Sequence, residues 1–240
     1  MLEKLNLLKR KSEGVKRLPF HIAMTTHGIR EWSKKHNKSF EETYKKVFQV
    51  IDEIIDEQIR NKIRIITLYL MPVNRENSEC YPFLLNAIVE FFTKLAADAR
   101  INNNQVKVSV LGKWYNVPKI IDPVKKIIDE TKDYDNFFLN FCINYNGREE
   151  ILDACRIVAM KVKNDKVDPN QVDKDMIKDN IYTSYFLPPD VIVKNGSGKS
   201  LGGFLLWDSV NSVIHFSDTL FPDFSKSDFS AAVGAYDEQE

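Results

Sequence analysis

"FFLNFCINYNGREEILDA", residues 137–154, joins an apolar run to a segment that opens on charged side chains. The apolar run at 137–144 predicts a buried strand. A helix is predicted over 148–164, because Glu149 and Glu150 at its start suit the positive end of a helix dipole. A buried strand that leads directly into a helix is the repeating unit of an α/β fold with a parallel sheet, so this stretch predicts the fold class.

The same alternation of strand and helix continues in both directions along the chain. Ser39 and Glu42 form a capping-box pattern at the start of the longest predicted helix. The predicted strands cover residues 19–26, 63–71, 107–112, 137–144, 190–194 and 212–216. The predicted helices cover residues 39–62, 82–101, 119–132, 148–164 and 173–182. The sequence therefore predicts an α/β fold with a central, mostly parallel sheet.

Length and charge limit the organisation of the chain and its partners. A chain of 240 residues can bury one sizeable core, and we predict a single domain over 18–240 that follows an N-terminal helix or arm at 1–17. Lys plus Arg and Asp plus Glu both total 34, so no global charge attracts the protein to nucleic acid. Partners must be inferred from local motifs.

The cysteines and the apolar runs indicate the compartment. Cys80, Cys142 and Cys155 form no Cys-x-x-Cys pair, and we expect Cys142 and Cys155 to be buried in a reduced, cytoplasmic protein. No stretch approaches the roughly 20 apolar residues that span a bilayer. The leucines and lysines of residues 1–17 leave two alternatives, a terminal helix packed on the domain or an amphipathic helix at a membrane surface.

"VIVKNGSGKSLGGFLLW", residues 191–207, contains a Gly-Lys-Ser triplet like that of a phosphate-binding P-loop. A P-loop needs a glycine five residues before the triplet, and that position is Val193. A β-branched residue does not easily adopt the positive φ that such turns use. The triplet therefore does not predict a nucleotide site.

A set of motifs in a fixed order resembles one enzyme family. "CINYNGREEILDA" at 142–154 resembles the Asn-Tyr-Gly-Gly-Arg-x-Glu-Ile block of the cis-prenyltransferases, the undecaprenyl and dehydrodolichyl diphosphate synthases, with Asn146 in place of one glycine. The resemblance implies a parallel sheet of six strands surrounded by helices, a dimer, and extension of allylic diphosphates by isopentenyl diphosphate with Mg²⁺. Counterparts of the family's other motifs occur on both sides of this block, in the same order as in the family, at 18–24, 66–72, 190–194, 203–210 and 216–236.

The positions that match the family's metal-binding residues carry other side chains. The family's first strand ends in Asp-Gly-Asn-Gly-Arg-Trp, and alignment on Gly28 and Trp32 places His27 at the aspartate that helps to hold Mg²⁺. Histidine is a poor replacement, because Mg²⁺ prefers oxygen ligands. Pro72 stands at the first serine of the family's Ser-Thr-Glu-Asn-Trp, and Val213 at a metal-binding glutamate.

The diphosphate loop of the family is also altered. Where the resembled enzymes have two arginines, a serine and a glutamate, this chain has Lys194, Ser200, Gly196 and Gly198. The replacement of both arginines removes bidentate binding of phosphate. We therefore expect no catalytic residues in this chain and no metal or other cofactor bound by it. The residues left for diphosphate binding are Gly28, Arg30, Arg75, Lys194, Gly196 and Lys199.

One branch of the family resembles the chain in these replacements, namely the noncatalytic, Nogo-B-receptor-like subunits of heteromeric cis-prenyltransferases. These subunits carry Lys-x-Gly and then Leu-Gly-Phe-Leu-x-Trp, similar to 194–196 and 201–207. The resemblance implies a partner subunit in a heterodimer or heterotetramer that makes long-chain polyprenyl diphosphate for dolichol-type or undecaprenyl-type glycosyl carrier lipids, with Mg²⁺ in the catalytic partner. Residues expected at the dimer interface or in structural roles are Asn144, Arg148, Phe204 and Trp207.

Other interpretations stay open. The chain is alternatively an enzyme with altered chemistry, such as atypical prenyl transfer or terpene cyclisation, in which His27 has a new role in place of a structural one. A homodimer with a prenyl diphosphate or lipid in its tunnel is the third alternative. The resembled subunits end in an Arg-x-Gly that reaches the partner's active site, whereas this chain ends in "AYDEQE", so we expect it to stabilise and shape its partner.

Overall fold

The computed structural model of this chain describes residues 18–237. The strands are β1 (His21–Thr25), β2 (Ile65–Pro72), β3 (Val106–Leu111), β4 (Phe137–Tyr145), β5 (Val191–Asn195) and β6 (Val213–Ser217). The helices are α1 (Ile29–His36), α2 (Phe40–Arg60), α3 (Tyr81–Ala96), α4 (Ala99–Asn103), α5 (Ile121–Thr131), α6 (Gly147–Lys163), α7 (Lys174–Lys178) and α8 (Lys226–Asp237). Among them no helix combines the length and the apolar character that crossing a membrane requires.

The strands form one sheet in the order β3-β4-β2-β1-β5-β6, and every neighbouring pair is parallel. Ile22 of β1 lies opposite Val191 of β5, which lies opposite Val213 of β6. The carboxyl ends of the strands therefore lie together on one side of the molecule. The predicted α/β fold with a parallel, six-stranded sheet is confirmed.

Both faces of the four central strands, β4, β2, β1 and β5, are covered, which explains why these strands read as apolar runs rather than as alternating patterns. On one face Ile22 and Met24 belong to a large core with Ile51 and Ile55 of α2. On the other face Ala23 belongs to a smaller core that includes Phe204. The chain is thus layered as helix, sheet and helix.

The predicted bounds of the strands agree with the structure to within two residues. The predicted capping box is also present, since the Ser39 hydroxyl accepts from the Glu42 amide at 3.1 Å and the Glu42 carboxylate accepts from the Ser39 amide at 3.0 Å. This reciprocal cap fixes the start of α2, whose inner face supplies much of the larger core.

Two predicted helices differ from the structure for local reasons. The single helix predicted over 82–101 is divided into α3 and α4, because Asp98 adopts an extended conformation and its carboxylate accepts from the Arg100 amide at 2.8 Å. The helix predicted over 173–182 already ends at Lys178. There the Asn180 side-chain amide donates to the Met176 carbonyl at 2.7 Å and caps the last turn.

Other predictions have separate outcomes. Helices α1 and α8 were not predicted, and the predicted N-terminal helix or arm at 1–17 lies outside the described residues. Cys142 is buried as expected, but the expectation for Cys155 is wrong, since it is exposed on α6. Its neighbours Ala154 and Val158 take the face of α6 that packs inward, which leaves Cys155 pointing outward.

Candidate functional site

A cavity of about 290 Å³ opens at the carboxyl ends of β1 and β2. The strand order of the sheet reverses beside β1, because the chain proceeds from β1 to β2 on one side and reaches β5 only later on the other. Ligands of open parallel sheets bind outside the strand ends at such a reversal. The cavity thus lies where the fold favours a ligand site.

Helix α1 begins at the mouth of this cavity. Its N-cap is Gly28, with φ of 97° and no side-chain hydrogen bond to the first amides. A Cβ atom on Gly28 would lie 2.7 Å from Leu220 Cδ2, so glycine is required for both conformation and space. Trp32 holds the helix in place, because its indole N–H donates to Asp223 Oδ1 at 2.6 Å. The positive end of the α1 dipole therefore faces the cavity mouth.

His27 lies directly before this helix and lines the cavity. Its Nδ1 atom is buried and has no hydrogen-bond partner among the described residues. Burial, followed by the positive charges of Lys194 and Arg75, lowers the pKa of His27 from 6.5 to about 4. The imidazole is therefore neutral at pH 7 and lies in a positive environment.

We expect NMR signals of the His27 imidazole to stay those of a neutral ring down to about pH 5. Because the folded pKa lies below the unfolded value of 6.5, the contribution of His27 to stability is complete above pH 6.5 and is lost as the pH falls towards 4. His27→Gln assigns the signals and should make the urea midpoint less sensitive to pH in this range. A His27 ring that titrates near pH 6.5 would contradict the buried environment described above.

Two arginines contribute positive charge to the cavity. The Arg30 guanidinium donates to Ser78 Oγ at 2.8 Å, and Ser78 Oγ lies 2.9 Å from Cys80 Sγ. Arg75 is half-buried, and its guanidinium has no hydrogen bond or ion pair with any residue of 18–237. Deeper in, the wall is apolar and includes Val47, Phe48, Leu70 and Leu84. The cavity is therefore amphipathic, because its wall combines less buried cations with buried hydrocarbon.

The loop after β5 lies against His27. A Cβ atom on Gly202 would lie 3.9 Å from the His27 ring, and one on Gly196 would lie 3.9 Å from His27 Cβ. Lys194 is only 4% exposed, and its ammonium donates to the Asn195 carbonyl. Burial, and secondarily the charge of Lys199, lowers the pKa of Lys194. The loop thus brings a buried ammonium close to the site.

Other residues of this loop point elsewhere. Lys199 forms an ion pair with Asp218 at 2.8 Å, and its ammonium lies 5.4 Å from the centroid of the Phe216 ring. Its charge is therefore neutralised at the surface and not in the cavity. Ser200 is exposed, and a Cβ atom on Gly198 would meet only the Lys194 ammonium, at 3.9 Å. Of the residues predicted to bind diphosphate, the cavity itself is lined by Gly28, Arg30 and Arg75.

Val213 does not belong to the cavity of its own chain. It begins β6 at the amino ends of the strands, and its amide donates to the Asp190 carbonyl at 2.9 Å. The length of β6 alone places it about 13 Å from the level of the carboxyl ends. A carboxylate at Val213 and one at His27 of the same chain could not bind the same metal ion. Pro72, in contrast, ends β2 and lines the cavity.

The residues predicted at an interface or in structural roles lie around the end of β4 and the loop after β5. Phe204 is fully buried and stacks on Tyr69 with 4.9 Å between ring centroids. Asn144 has a positive φ of 49°, and its side chain donates to the Lys113 carbonyl at 3.0 Å. Arg148 is exposed and Trp207 is half-buried. Phe204 and Asn144 therefore have structural contacts, while an interface role for the four stays a prediction.

Sequence reasoning missed several residues that line the cavity, including Tyr44, Tyr69 and Cys80. Tyr44 comes from the first turns of α2 and Cys80 from the N-cap of α3. No local motif marks either of them, since only the packing of α2 against α3 brings them to the same wall. Tyr69 had a weak signal, because it is a polar-tipped residue near the carboxyl end of a buried strand.

Comparison with known proteins identifies the family. Residues 26–240 match the prenyltransferase family that is described as undecaprenyl diphosphate synthase. The chain belongs to this family. The predicted membership in the cis-prenyltransferases is therefore confirmed, whereas the branch of noncatalytic subunits stays a prediction.

Individual cis-prenyltransferases resemble the chain over nearly its whole length. A tritrans,polycis-undecaprenyl-diphosphate synthase (geranylgeranyl-diphosphate specific) of Thermoplasma acidophilum is 31% identical over 92% of this chain and 87% of its own. An isoprenyl transferase of Streptococcus mutans is 28% identical over 94% of each chain. Lavandulyl diphosphate synthase of Lavandula x intermedia, solved with dimethylallyl diphosphate, superposes with a TM-score of 0.88 over 93% of this chain and 97% of its own. At 21% identity this last likeness shows the fold alone.

The resembled enzymes use Mg²⁺, but the residues at this cavity do not fit that ion. Mg²⁺ requires several oxygen ligands in octahedral geometry. Within residues 18–237 no three His, Cys, Asp or Glu side chains lie together as a metal site requires. The cavity instead presents the neutral imidazole of His27 and the guanidiniums of Arg30 and Arg75. Nearby cations oppose a further positive ion, so we assign no step to Mg²⁺ in this chain.

Proposed function

We propose that this chain is the noncatalytic subunit of a heteromeric cis-prenyltransferase that makes long-chain polyprenyl diphosphate for glycosyl carrier lipids. The observation that carries the proposal is the cavity mouth, where a neutral, positively surrounded His27 stands at the family's magnesium aspartate. The altered loop supports it, because the arginine positions hold a buried Lys194 and an exposed Ser200. The catalytic partner supplies the Mg²⁺ ligands and the arginines of the active site.

An uncovered apolar surface supports a role in assembly. β6 is the last strand of the sheet, so one side of its backbone is unpaired within the described residues. Its side chains Ile214 and Phe216 are 39% and 43% exposed, and Val210 in the preceding turn is 81% exposed. An open strand edge with apolar side chains is a surface that proteins normally cover. We assign this surface, Val210, Ile214 and Phe216, to the catalytic partner.

Incorporation of radiolabelled isopentenyl diphosphate tests the proposal. The assay uses farnesyl diphosphate and Mg²⁺ with this chain alone, with an intact family member from the same source alone, and with the two purified together. We expect no turnover by this chain alone and more turnover by the pair than by the partner alone. Turnover by this chain alone, or no gain in the pair, would refute the proposal.

A surface variant makes the test specific. The double variant Val210→Glu with Phe216→Glu should prevent co-purification and remove the gain in activity. These two residues are exposed in the isolated chain, and contact with the partner would bury two carboxylates that have no compensating cation. Tyr115→Glu is the matched control, since Tyr115 is 56% exposed and lies after β3 at the opposite end of the sheet. If the control and the test variant behave alike, the β6 surface is not the interface.

The open cavity favours a second candidate, an enzyme that uses a prenyl diphosphate in another reaction. The supporting observation is that a pocket with two arginines and an apolar wall is retained although the family's metal ligands are replaced. Mass spectrometry of products after incubation of this chain alone with geranyl and farnesyl diphosphate distinguishes the two functions. New products point to the enzyme, and unchanged substrates point to the subunit.

A further inference from the structure

We propose that residues 179–187 form a pH-dependent strap, which is closed while Glu150 holds a proton and opens when Glu150 loses it. The strap is the segment that follows α7 and leads towards β5, and its residues Phe186 and Leu187 belong to the smaller core. The inference concerns this chain alone. It goes beyond the proposed function, since an accessory subunit needs no segment that responds to pH.

The strap is buried although it contains no helix or strand. Ile181, Thr183 and Phe186 are each at most 4% exposed. Turns connect the strap internally, and in one of them the Phe186 amide donates to the Thr183 carbonyl at 2.9 Å. A buried segment outside a helix or sheet depends on side chains for its remaining backbone partners. A few side-chain contacts therefore control its position.

Glu150 of α6 supplies one of these contacts. It is 1% exposed, and its Oε1 atom accepts from the Thr183 amide at 3.3 Å. Its Oε2 atom accepts from the Tyr145 hydroxyl at 2.5 Å. Within residues 18–237 no ammonium or guanidinium forms an ion pair with this carboxyl group. Ionised Glu150 is thus a buried charge without a directly paired cation.

A second buried acid contacts the same residue of the strap. The Thr183 hydroxyl donates to Asp208 Oδ2 at 2.6 Å, while the Thr183 amide donates to Glu150. The Lys178 ammonium pairs with Asp208 at 2.8 Å. Two buried acids therefore share one cation, and their charge is balanced only if one of them keeps its proton. Because Lys178 pairs with Asp208, the proton belongs on Glu150.

The other titratable groups around Glu150 keep one charge state between about pH 5 and pH 8. Burial raises the pKa of Tyr145, of Tyr182 and of the Cys142 thiol, so these groups stay protonated. Asp153 accepts from the Tyr182 hydroxyl one turn further along α6. Although burial opposes it, hydrogen bonds lower the pKa of Asp153, so this carboxylate stays ionised. Glu150 is therefore the group of this cluster that titrates in the range.

The direction of the pH effect follows from the closed form. Burial, opposed by the Tyr145 hydroxyl and assisted by Asp208, raises the pKa of Glu150 from 4.5 to about 7. In an open strap the carboxyl group meets water, and its pKa returns towards the ordinary value. The closed form thus holds the proton more tightly than the open form. Its stability is greatest below pH 4.5 and decreases as the pH rises to about 7.

Opening of the strap uncovers aromatic side chains. Phe186 packs on Phe138 of β4 with 6.0 Å between ring centroids, and Tyr182 packs on Tyr145 with 6.2 Å. Tyr145 in turn contacts Phe204 in the loop after β5, with 6.5 Å between centroids. The strap therefore covers the part of the smaller core that supports this loop.

Hydrogen–deuterium exchange, followed by mass spectrometry of peptides, tests the inference on the full chain. Rates are corrected for the intrinsic pH dependence of amide exchange. We expect the opening constant of residues 179–187 to rise about 10- to 100-fold from pH 5 to pH 8, because the closed and open forms differ in the pKa of Glu150. The amides of α2 at 47–55 are the internal reference, and we expect no matching rise there.

Three variants make the test specific. Glu150→Gln keeps an acceptor for the Thr183 amide but cannot ionise, so it should abolish the rise. Glu149→Gln is the matched control and should retain the rise, because the Glu149 side chain is 44% exposed in an ion pair with Lys113. Tyr145→Phe removes the hydroxyl that favours ionised Glu150, so the pH at which the rise ends should increase by about 1 unit.

Each outcome decides the question. Opening that does not depend on pH, or a rise that survives in Glu150→Gln, would overturn the inference. Carbon-13 NMR of the carboxyl groups gives a direct readout, because the signal that Glu150→Gln removes should titrate near pH 7 and not near 4.5. If Glu150→Gln does not fold, an end point that Tyr145→Phe leaves unmoved contradicts the role of Glu150. No partner subunit is present, so failure here leaves the isopentenyl diphosphate assay of the proposed function to be judged separately.

Discussion

Lys178→Met is expected to lower the free energy of unfolding by about 3–5 kcal/mol, because it leaves a buried carboxylate without its cation. The Lys178 ammonium lies 2.8 Å and 3.0 Å from the two carboxylate oxygens of Asp208. The Asp208 side chain is only 4% exposed. Thr183 Oγ1 also donates to Asp208 at 2.6 Å, but a hydroxyl does not neutralise the charge. Urea unfolding at pH 7 measures the change.

Neighbouring acidic groups make this loss larger. Glu150 is buried near the same pair, and burial, with a further contribution from Asp208, raises the pKa of Glu150 to about 7. Lys178 opposes that rise, so its removal leaves two buried acidic groups facing each other. Lys174→Met on the same helix α7 is the matched control, since Lys174 is exposed. The double variant Lys178→Met with Asp208→Leu should recover most of the loss, and equal effects of Lys178→Met and its control would refute the argument.

Phe48→Ala is expected to cost about 3 kcal/mol of stability and to change the shape of the site. Phe48 lines the cavity of about 290 Å³ and also a groove of about 340 Å³ on the outer side of α2 and α3. Phe48 is the residue that the two linings have in common. We therefore expect removal of the ring to join the two spaces into a longer channel.

The joined channel should accept a longer tail. Relative to the unaltered chain, we expect Phe48→Ala to favour farnesyl over geranyl thiodiphosphate by about tenfold or more, since each further buried methylene contributes about 0.8 kcal/mol. Calorimetry measures the ratio and urea unfolding the stability. Phe40→Ala on the same helix lines neither cavity and is the control for the ligand ratio. A stability loss with an unchanged ratio would show that Phe48 does not limit the tail.

Much of the fold could be predicted from the sequence, because the four central strands are buried on both faces and each long helix has one buried face. The stretch at 137–154 shows this, since its apolar run is β4 and its acidic residues begin α6. The division between α3 and α4 had a readable signal in Asp98, a residue that favours N-caps. The prediction relied on helical periodicity alone and therefore continued one helix across Asp98.

Less of the candidate site than of the fold could be predicted from the sequence. His27, Gly28 and Arg30 were found because they are adjacent in the chain and match a motif. Cys80 and Tyr44 reach the cavity only through helix packing, and Val213 aligns with a ligand position yet begins β6 at the far ends of the strands. Alignment conveys the order of residues along the chain, whereas a site depends on their distance in space.

The position of β1 in the middle of the sheet has a consequence for the synthesis of the protein. The Asp190 carboxylate accepts from the amides of Phe20 at 2.7 Å and His21 at 3.0 Å, groups about 170 residues away in the chain. At a translation rate of about 5–20 residues per second, Asp190 and β5 are therefore synthesised roughly 10–30 s after β1. During that interval a nascent chain has one side of its first strand unpaired, and protection by the ribosome or a chaperone is needed for that time.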